Sequence, residues 1–167
     1  MPTSDIPSPA TSPLVLFVCT GNICRSPMAE ALLRHHLPSG AVWRVASAGT
    51  CACNGYAASE GAVEALAEEG VAPPAHRSQP LTEKLVLDAR VIVALTRGHR
   101  DDILENFPAA KQKVFLLKSF DPAAGDDKDV PDPIGGSLAV YRRCRNTIAA
   151  AMPGLVEFLG ELRGAYR

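Results

Sequence analysis

Apolar residues gather in short continuous runs along the chain, and several segments between the runs alternate apolar and polar residues with helical spacing. Four runs have the length and composition of buried strands: LVLFVC at 14–19, VWRVASAG at 42–49, ARVIVAL at 89–95 and KVFLLKSF at 113–120. Helices are predicted at 27–37, 59–69 and 96–107, and Gly70 is expected to end the second. Strands that alternate with helices predict an α/β fold, a single doubly wound domain whose four-stranded parallel sheet carries helices on both faces.

The last part of the chain combines a long polar loop with an amphipathic helix. Apolar residues recur there at spacings of three and four, at Tyr141, Cys144, Ile148, Met152, Leu155, Leu159 and Leu162. Pro153 is expected to kink or restart this helix, and Cys144 is expected in the core. Between Phe120 and Ser137 the sequence DPAAGDDKDVPDPIGG contains five aspartates and three prolines. A loop of this length in a small domain is typically functional or disordered.

The composition is that of one globular domain, and its basic and acidic residues are nearly balanced. The 167 residues, 47% hydrophobic and 21% charged, suffice for a sizeable core. Residues 1–13 hold four of the fourteen prolines and are predicted to be a disordered tail, with the domain over 14–167. Seventeen basic and eighteen acidic residues give a net charge of −1, which favours neither a nucleic-acid nor an anionic-membrane partner.

The expected cellular compartment follows from the absence of a membrane span and of an export signal. No run approaches the ~20 apolar residues of a membrane span, and the first residues have no basic and apolar export signal. The five cysteines are too few for a disulfide framework and fit a reducing compartment. We therefore expect a cytoplasmic protein with free thiols.

The most informative segment is CTGNICRSP at 19–27, between the first predicted strand and the first predicted helix. A cysteine, five residues, then arginine and serine allow the loop to point several backbone N–H groups at one centre, where an anion binds. Gly21 and Asn22 tolerate the left-handed backbone angles of such a cradle. Arg25 can grip two phosphate oxygens. A Walker loop is excluded because it would end in Gly-Lys-Ser/Thr.

The N–H groups that attract an anion also favour a thiolate over a thiol. The pKa of Cys19 is therefore expected to fall from about 8.5 towards the range of about 3.5–7.5. Ser26 can hydrogen-bond the sulfur and make it a better leaving group. A buried cysteine that ends a strand is ordinarily structural. Gly-Asn, Arg-Ser and Pro in one nine-residue string have no shared packing reason, however, and together they predict phosphate chemistry.

On these residues the sequence resembles the low-molecular-weight protein tyrosine phosphatase family, which also contains protein-arginine phosphatases. The likeness covers about 14–163 and includes CTGNICRSP, SAGT at 47–50, HRS around His76 and PDPIGGS at 131–137. It implies that Cys19 is the nucleophile, Arg25 the phosphate clamp and Ser26 the partner of the thiolate. It also implies that Asp132 is the general acid, which the sequence alone does not distinguish from Asp121, Asp126, Asp127 and Asp129.

The resemblance assigns the remaining polar residues as well. Phosphate binding is expected from Thr20, Gly21, Asn22, Ile23, Cys24 and Ser26. Asn22, Ser47 and His76 match the polar residues that brace the phosphate loop in this family. Cys24 is either filler beneath the loop or a resolving thiol that captures oxidised Cys19 as a disulfide, and we favour the second. Incidental roles are expected for the loop thiols Cys51 and Cys53, and surface positions for His35, His36 and His99.

Two features point to different substrates. In the family, the residue before the second cysteine of the loop is isoleucine in tyrosine phosphatases and threonine in arginine phosphatases, and here it is Ile23. Tyrosine phosphatases usually wall the cleft with aromatic residues. Here Ile134, Gly135 and Gly136 follow the Asp-Pro pair and 51–55 holds no aromatic, which resembles the arginine phosphatases. We expect phosphotyrosine hydrolysis through a phosphocysteine, with phosphoarginine hydrolysis as the alternative.

Other classes are less favoured. A phosphate-binding or redox-sensing module without turnover would keep the loop and need no general acid. An arsenate reductase of the family would need a further pair of cysteines at 80–95, and none is there. The expected enzyme acts on a phosphorylated protein as a monomer, and needs no metal or cofactor.

Overall fold

The structure, a computed structural model, describes residues 12–73 and 75–164. The strands are β1 (Leu14–Cys19), β2 (Arg44–Gly49), β3 (Ala89–Ala94) and β4 (Val114–Leu116). The helices are α1 (Arg25–His36), α2 (Glu60–Glu68), α3 (Glu83–Asp88), α4 (Arg97–Asn106), α5 (Leu138–Ala150) and α6 (Met152–Gly164). Two 3₁₀ helices, Pro108–Lys113 and Leu117–Phe120, flank β4.

The strands form one parallel sheet in the order β2-β1-β3-β4. Side chains of β1 alternate between its two faces because successive residues of a strand point to opposite sides. Val15 and Phe17 join a core with α1, α2, α5 and α6, whereas Leu14, Leu16 and Val18 join a second core beneath α3 and α4. The predicted α/β fold, with helices on both faces of a four-stranded parallel sheet, is confirmed.

The fourth predicted strand is shorter than expected. β4 has three residues and, within the described part of the chain, pairs with β3 alone, at the edge of the sheet. The chain then turns through a 3₁₀ helix, which places the ring of Phe120 against Phe115 and Phe158. Gly154 of α6 lies against the Phe120 carbonyl, where a Cβ would overlap the oxygen. Packing against α6 therefore replaces the predicted continuation of the strand.

Two further elements differ from the prediction. α3 was not predicted because its six residues are too few to show a period. Its sequence signal is Thr82, whose side chain accepts a hydrogen bond from the backbone N–H of Leu85 at 3.2 Å. Pro153 lies in the first turn of α6, after the break at Ala151, so the predicted restart of the last helix is confirmed.

The described chain begins close to the predicted domain boundary. The carbonyls of Ser12 and Pro13 accept hydrogen bonds from Arg44, on β2. Most of the predicted tail, residues 1–11, lies outside the described residues. In the part of the chain that the structure describes, no helix is long and apolar enough to cross a membrane.

Candidate active site

The loop predicted to bind phosphate joins β1 to α1 at the carboxyl edge of the sheet. Cys19 is the last residue of β1, in register with Gly49 at the end of β2. Arg25 is the first residue of α1, and Cys24 precedes it without a side-chain cap. Uncapped N–H groups at a helix start are suited to an anion. Backbone N–H groups of Asn22 and Ser26 near the sulfur act to lower the pKa of Cys19.

Asn22 gives this loop its shape. Its φ of 56° makes it the one non-glycine residue with a positive φ among those the structure describes. Asparagine adopts this conformation more readily than most residues. Gly21 does not adopt a positive φ, so of the two residues expected to tolerate left-handed angles, Asn22 is the one that uses such an angle. At Gly21 a Cβ would meet only the side chain of Ile23, at 3.8 Å.

Hydrogen bonds with four residues hold Asn22. Its Nδ2 donates to Ser26 Oγ at 2.8 Å and to Ser47 Oγ at 2.9 Å. Its Oδ1 accepts from the backbone N–H of Gln79 at 3.0 Å, and its carbonyl accepts from His76 Nε2 at 2.6 Å. The structure thus brings together the residues predicted to brace the loop, and it adds Gln79, which the sequence analysis missed.

The end of β2 packs directly on the loop. A Cβ at Gly49 would overlap the carbonyl of Thr20 and meet Asn22 N at 3.1 Å. The N–H groups of Thr50 and Cys51 donate to the carbonyls of Cys19 and Thr20, at 2.9 and 3.0 Å. This close approach gives the SAGT motif a physical reason, because only glycine fits at its third position.

Cys19 and Ser26 form a buried pair. Cys19 Sγ lies 2.8 Å from Ser26 Oγ. Ser26 Oγ accepts from Asn22 Nδ2, so its own hydrogen is available to the sulfur. Burial raises the pKa of Cys19 above its usual value, while the hydrogen bonds from Ser26 and Asn22 and the charge of Arg25 act to lower it. The net direction is upward, so the expected lowering of the pKa is not supported.

Arg25 connects the loop to the Asp-Pro segment. Its buried guanidinium donates through Nη1 to the carbonyl of Val130 at 3.0 Å. Its Nη2 lies 3.5 Å from Asp132 Oδ2 and 3.5 Å from Thr20 Oγ1. The Asp132 side chain is 45% exposed, and its Oδ1 accepts from the N–H of Ile134. Arg25 and Asp132, the residues that the sequence predicts to clamp the phosphate and to supply a proton, therefore form an ion pair.

The other aspartates of this segment have different partners. Asp129 accepts from the N–H of Arg97 at 2.7 Å, and Asp127 lies 4.0 Å from Lys118. A hydrogen bond from the backbone N–H of Asp129 and the positive charge of Lys118 hold the pKa of Asp127 below its usual value. Asp121 accepts from Ala123, and the Asp126 carbonyl accepts from Arg97. Of these five aspartates, Asp132 is the one that forms an ion pair with Arg25 in the described residues.

The remaining cysteines lie in three environments. Cys24 is buried, with its Sγ 3.2 Å from Ser59 Oγ and 3.4 Å from the Tyr141 hydroxyl. Cys144 is buried in the core as expected, and burial raises its pKa to about 12. Cys51 and Cys53 are exposed. All five cysteines are free thiols.

One histidine is not where the sequence analysis put it. His35 and His36 are exposed as predicted, but His99, on the first turn of α4, is 5% exposed. Its Nε2 lies 2.8 Å from Thr20 Oγ1. The prediction of a surface position failed because a polar helix sequence does not show which turn faces the loop after β1.

Comparisons with known proteins agree with this geometry. The model of the family described as "Low molecular weight phosphotyrosine protein phosphatase" matches residues 14–163. A cysteine loop at the carboxyl edge of a four-stranded parallel sheet defines the class, a cysteine-dependent phosphatase. The chain belongs to the low-molecular-weight protein tyrosine phosphatase family, whose general mechanism passes through a phosphocysteine.

The relatives carry two activities in their names. A protein-arginine phosphatase from Geobacillus stearothermophilus is 45% identical over 145 residues, covering 87% of this chain and 95% of the relative. A low-molecular-weight protein-tyrosine phosphatase from Streptomyces coelicolor is 37% identical, covering 88% of this chain and 93% of the relative. The solved structure of the YwlE arginine phosphatase from G. stearothermophilus aligns with a TM-score of 0.81 and 42% identity, covering 92% and 97% of the two chains.

Replacing Ser26 by alanine tests the electrostatics of Cys19. Because the Ser26 hydroxyl is the strongest influence that lowers the pKa of Cys19, its removal is expected to raise that pKa further. The pH dependence of iodoacetamide alkylation, with the product located on Cys19 by mass spectrometry, measures the shift. Ser39→Ala, at an exposed serine, is the control. Equal midpoints in wild type and Ser26→Ala would contradict the prediction.

Proposed function

We propose that this chain hydrolyses phosphotyrosine in proteins, with Cys19 as the nucleophile. The observation that carries the proposal is that two distant segments of the chain meet at one site. The loop after β1 supplies Cys19, Arg25 and Ser26, and the Asp-Pro segment supplies Asp132. A reactive sulfur, a cation for phosphate oxygens and a carboxyl group for the leaving oxygen are the groups that such a reaction needs.

In the first step, the sulfur of Cys19 attacks phosphorus as a thiolate, and Asp132 carries a proton. The S–P bond forms as the bond between phosphorus and the tyrosine oxygen breaks. Asp132 gives its proton to that oxygen, so neutral tyrosine leaves. Arg25 and the N–H groups of the loop stabilise the charge on the oxygens that do not react.

In the second step, water attacks the phosphocysteine and Asp132 takes one of its protons. The S–P bond breaks, and inorganic phosphate and the thiolate are regenerated. Ser26, at 2.8 Å from the sulfur, stabilises the departing thiolate with a hydrogen bond. Its hydrogen is available because Asn22 supplies the other hydrogen bond to its oxygen.

Ile23 supports phosphotyrosine as the substrate. It is partly buried, and it packs against the core on the side of α1. Its carbonyl accepts a hydrogen bond from the N–H of Ser59, which fixes the backbone there. An apolar side chain at this position favours an aromatic ring over the polar, charged guanidinium of phosphoarginine. Tyr56, just beyond the segment 51–55, adds a 64% exposed aromatic side chain on the loop after β2.

Phosphoarginine is the second candidate. Ile134 is 57% exposed beside Asp132, and the two residues after it are glycines. Residues 134–136, directly after the Asp-Pro pair, therefore contribute no aromatic ring next to the proposed acid. The arginine phosphatase from G. stearothermophilus, 45% identical, also supports this alternative.

The substrate proposal is tested with matched phosphotyrosine and phosphoarginine peptides. Wild type is expected to hydrolyse phosphotyrosine with the higher kcat/KM, and Ile23→Thr is expected to shift the ratio of the two values towards phosphoarginine by about tenfold or more. Faster hydrolysis of phosphoarginine by wild type would contradict the proposal. Cys19→Ser should be inactive on both peptides, and activity in that variant would exclude Cys19 as the nucleophile.

The role of Asp132 is tested through the leaving group. Asp132→Ala should lower kcat for a phenyl phosphate, whose leaving group needs a proton, by roughly 10²–10⁴. Hydrolysis of nitrophenyl phosphate should fall much less because nitrophenolate leaves without protonation. Asp121→Ala, in the same loop, is the control and should retain activity towards both. Equal losses on both substrates in Asp132→Ala would exclude general acid catalysis.

We further propose that Cys24 protects Cys19 from irreversible oxidation. Peroxide would oxidise Cys19 to a sulfenic acid, and the thiol of Cys24 would displace water from it to form a disulfide. Inactivation of wild type by peroxide should then be reversed by dithiothreitol, and Cys24→Ser should not recover. Cys53→Ser, at an exposed thiol, should recover like wild type. Full recovery of Cys24→Ser would contradict this role.

The substrate partner is a phosphorylated protein, in keeping with the family. The monomeric state and the cytoplasmic location expected from the sequence stay predictions. Sedimentation of the full chain and fractionation of the cell are the measurements that bear on them.

A further inference from the structure

His99 is a buried polar side chain that the proposed reaction does not use. It lies on the first turn of α4, directly after the end of β3, the neighbour of β1 in the sheet. Its Nε2 is 2.8 Å from Thr20 Oγ1, in the phosphate loop. Its Nδ1 is buried and finds no hydrogen-bond partner among the described residues. The imidazole ring therefore has one polar contact, and that contact is with the site.

Thr20 carries this contact on to the phosphate clamp. Its Oγ1 accepts a hydrogen bond from Arg25 Nη2 at 3.5 Å, and the same nitrogen lies 3.5 Å from Asp132 Oδ2. If the Thr20 hydroxyl donates its hydrogen to Nε2 of His99, it donates one hydrogen bond while it accepts the other from Arg25. His99, Thr20, Arg25 and Asp132 thus form a continuous series of polar contacts that ends at the proposed acid.

The imidazole ring is neutral at physiological pH. Burial and the positive charge of Arg25 lower the pKa of His99 to about 4, against the opposing charges of Asp102, Asp129 and Asp132. A neutral ring can accept a hydrogen from Thr20 without repelling Arg25 or adding charge to the phosphate site.

Stability alone does not account for this histidine. A buried nitrogen without a partner costs free energy, and an apolar side chain of similar size would avoid that cost. The polar ring at this place is therefore explained by what it does to Thr20 rather than by packing.

We propose that His99 is a positioning residue of the phosphate site, which orients Arg25 through the hydroxyl of Thr20. The inference deepens the proposed function and rests on it. His99 does not touch the reacting atoms. It fixes the hydroxyl that limits the rotation of the guanidinium, so that Nη2 stays directed into the loop when an oxyanion binds.

The experiment compares His99→Leu with His99→Gln in the full chain. Leucine removes the contact, whereas the glutamine amide can place a donor or an acceptor near the position of Nε2. Two quantities are measured: the dissociation constant of inorganic phosphate by calorimetry, and kcat and KM for nitrophenyl phosphate. Tm reports whether the variants fold. His35→Gln, at an exposed histidine of α1, is the control.

In His99→Leu we expect phosphate binding to weaken about tenfold and KM to rise by a similar factor. Tm should stay at or above that of wild type because the unpartnered nitrogen is gone. In His99→Gln we expect phosphate binding within about threefold of wild type. Thr20→Val should weaken binding like His99→Leu, and the double variant should be no weaker than Thr20→Val alone.

Three results of the binding measurements would overturn the inference. They are unchanged phosphate binding in a folded His99→Leu, a loss in His99→Gln as large as in His99→Leu, and additive losses in the double variant. A fall in Tm that accounts for the weaker binding would likewise assign a structural role. Phosphate binding is measured without turnover. If wild type binds phosphate but hydrolyses no ester, the proposed function is refuted, and the binding data on the variants still decide the role of His99. A wild type that binds no phosphate refutes both.

Discussion

The left-handed backbone of Asn22 is the constraint on which the site depends. This conformation costs a residue other than glycine about 1–2 kcal/mol. The Asn22 side chain offsets that cost through buried hydrogen bonds to Ser26 and Ser47 and a partly buried one from Gln79. Leaving any one of these buried groups unpaired would cost about 1–3 kcal/mol. The network thus fixes the loop and directs the hydroxyl of Ser26 to the sulfur.

Burial and charge oppose each other at the centre of this loop. Cys19 is buried, which disfavours its thiolate, and four separate influences from Ser26, Asn22 and Arg25 act in the other direction. Arg25 is also buried, and it is stabilised by the Val130 carbonyl and by Asp132. A phosphate site of this kind holds ionisable groups in low dielectric. Their protonation therefore depends on the bonds that surround each of them rather than on the residue type.

Sequence reasoning found the parts of the site that are contiguous. The loop 19–27 was predicted because its residue types, its spacing and its place between a strand and a helix agree. The strands β1, β2 and β3 were found because buried parallel strands are continuous apolar runs. The same reasoning gave β4 too long an extent, since an apolar run cannot distinguish a strand from a turn that packs its side chains elsewhere.

What the sequence could not supply depends on contacts between distant residues. His99 follows a strand in a polar segment, and only the order of the sheet places it beside Thr20. Gln79 contributes a backbone N–H, which no sequence pattern marks. Asp132 stands among chemically identical neighbours, and its ion pair with Arg25 is what separates it from them.

The contacts of Asn22 also determine when the thiol is organised during synthesis. They reach 25 residues forward to Ser47, 54 to His76 and 57 to Gln79. A ribosome-bound chain that has not yet exposed Gln79 therefore lacks the partners that shape the cradle. Cys19 leaves the exit tunnel early, but the loop around it takes its shape only after Gln79 has followed, so a chain that ends before Gln79 would hold Cys19 outside the ordered loop.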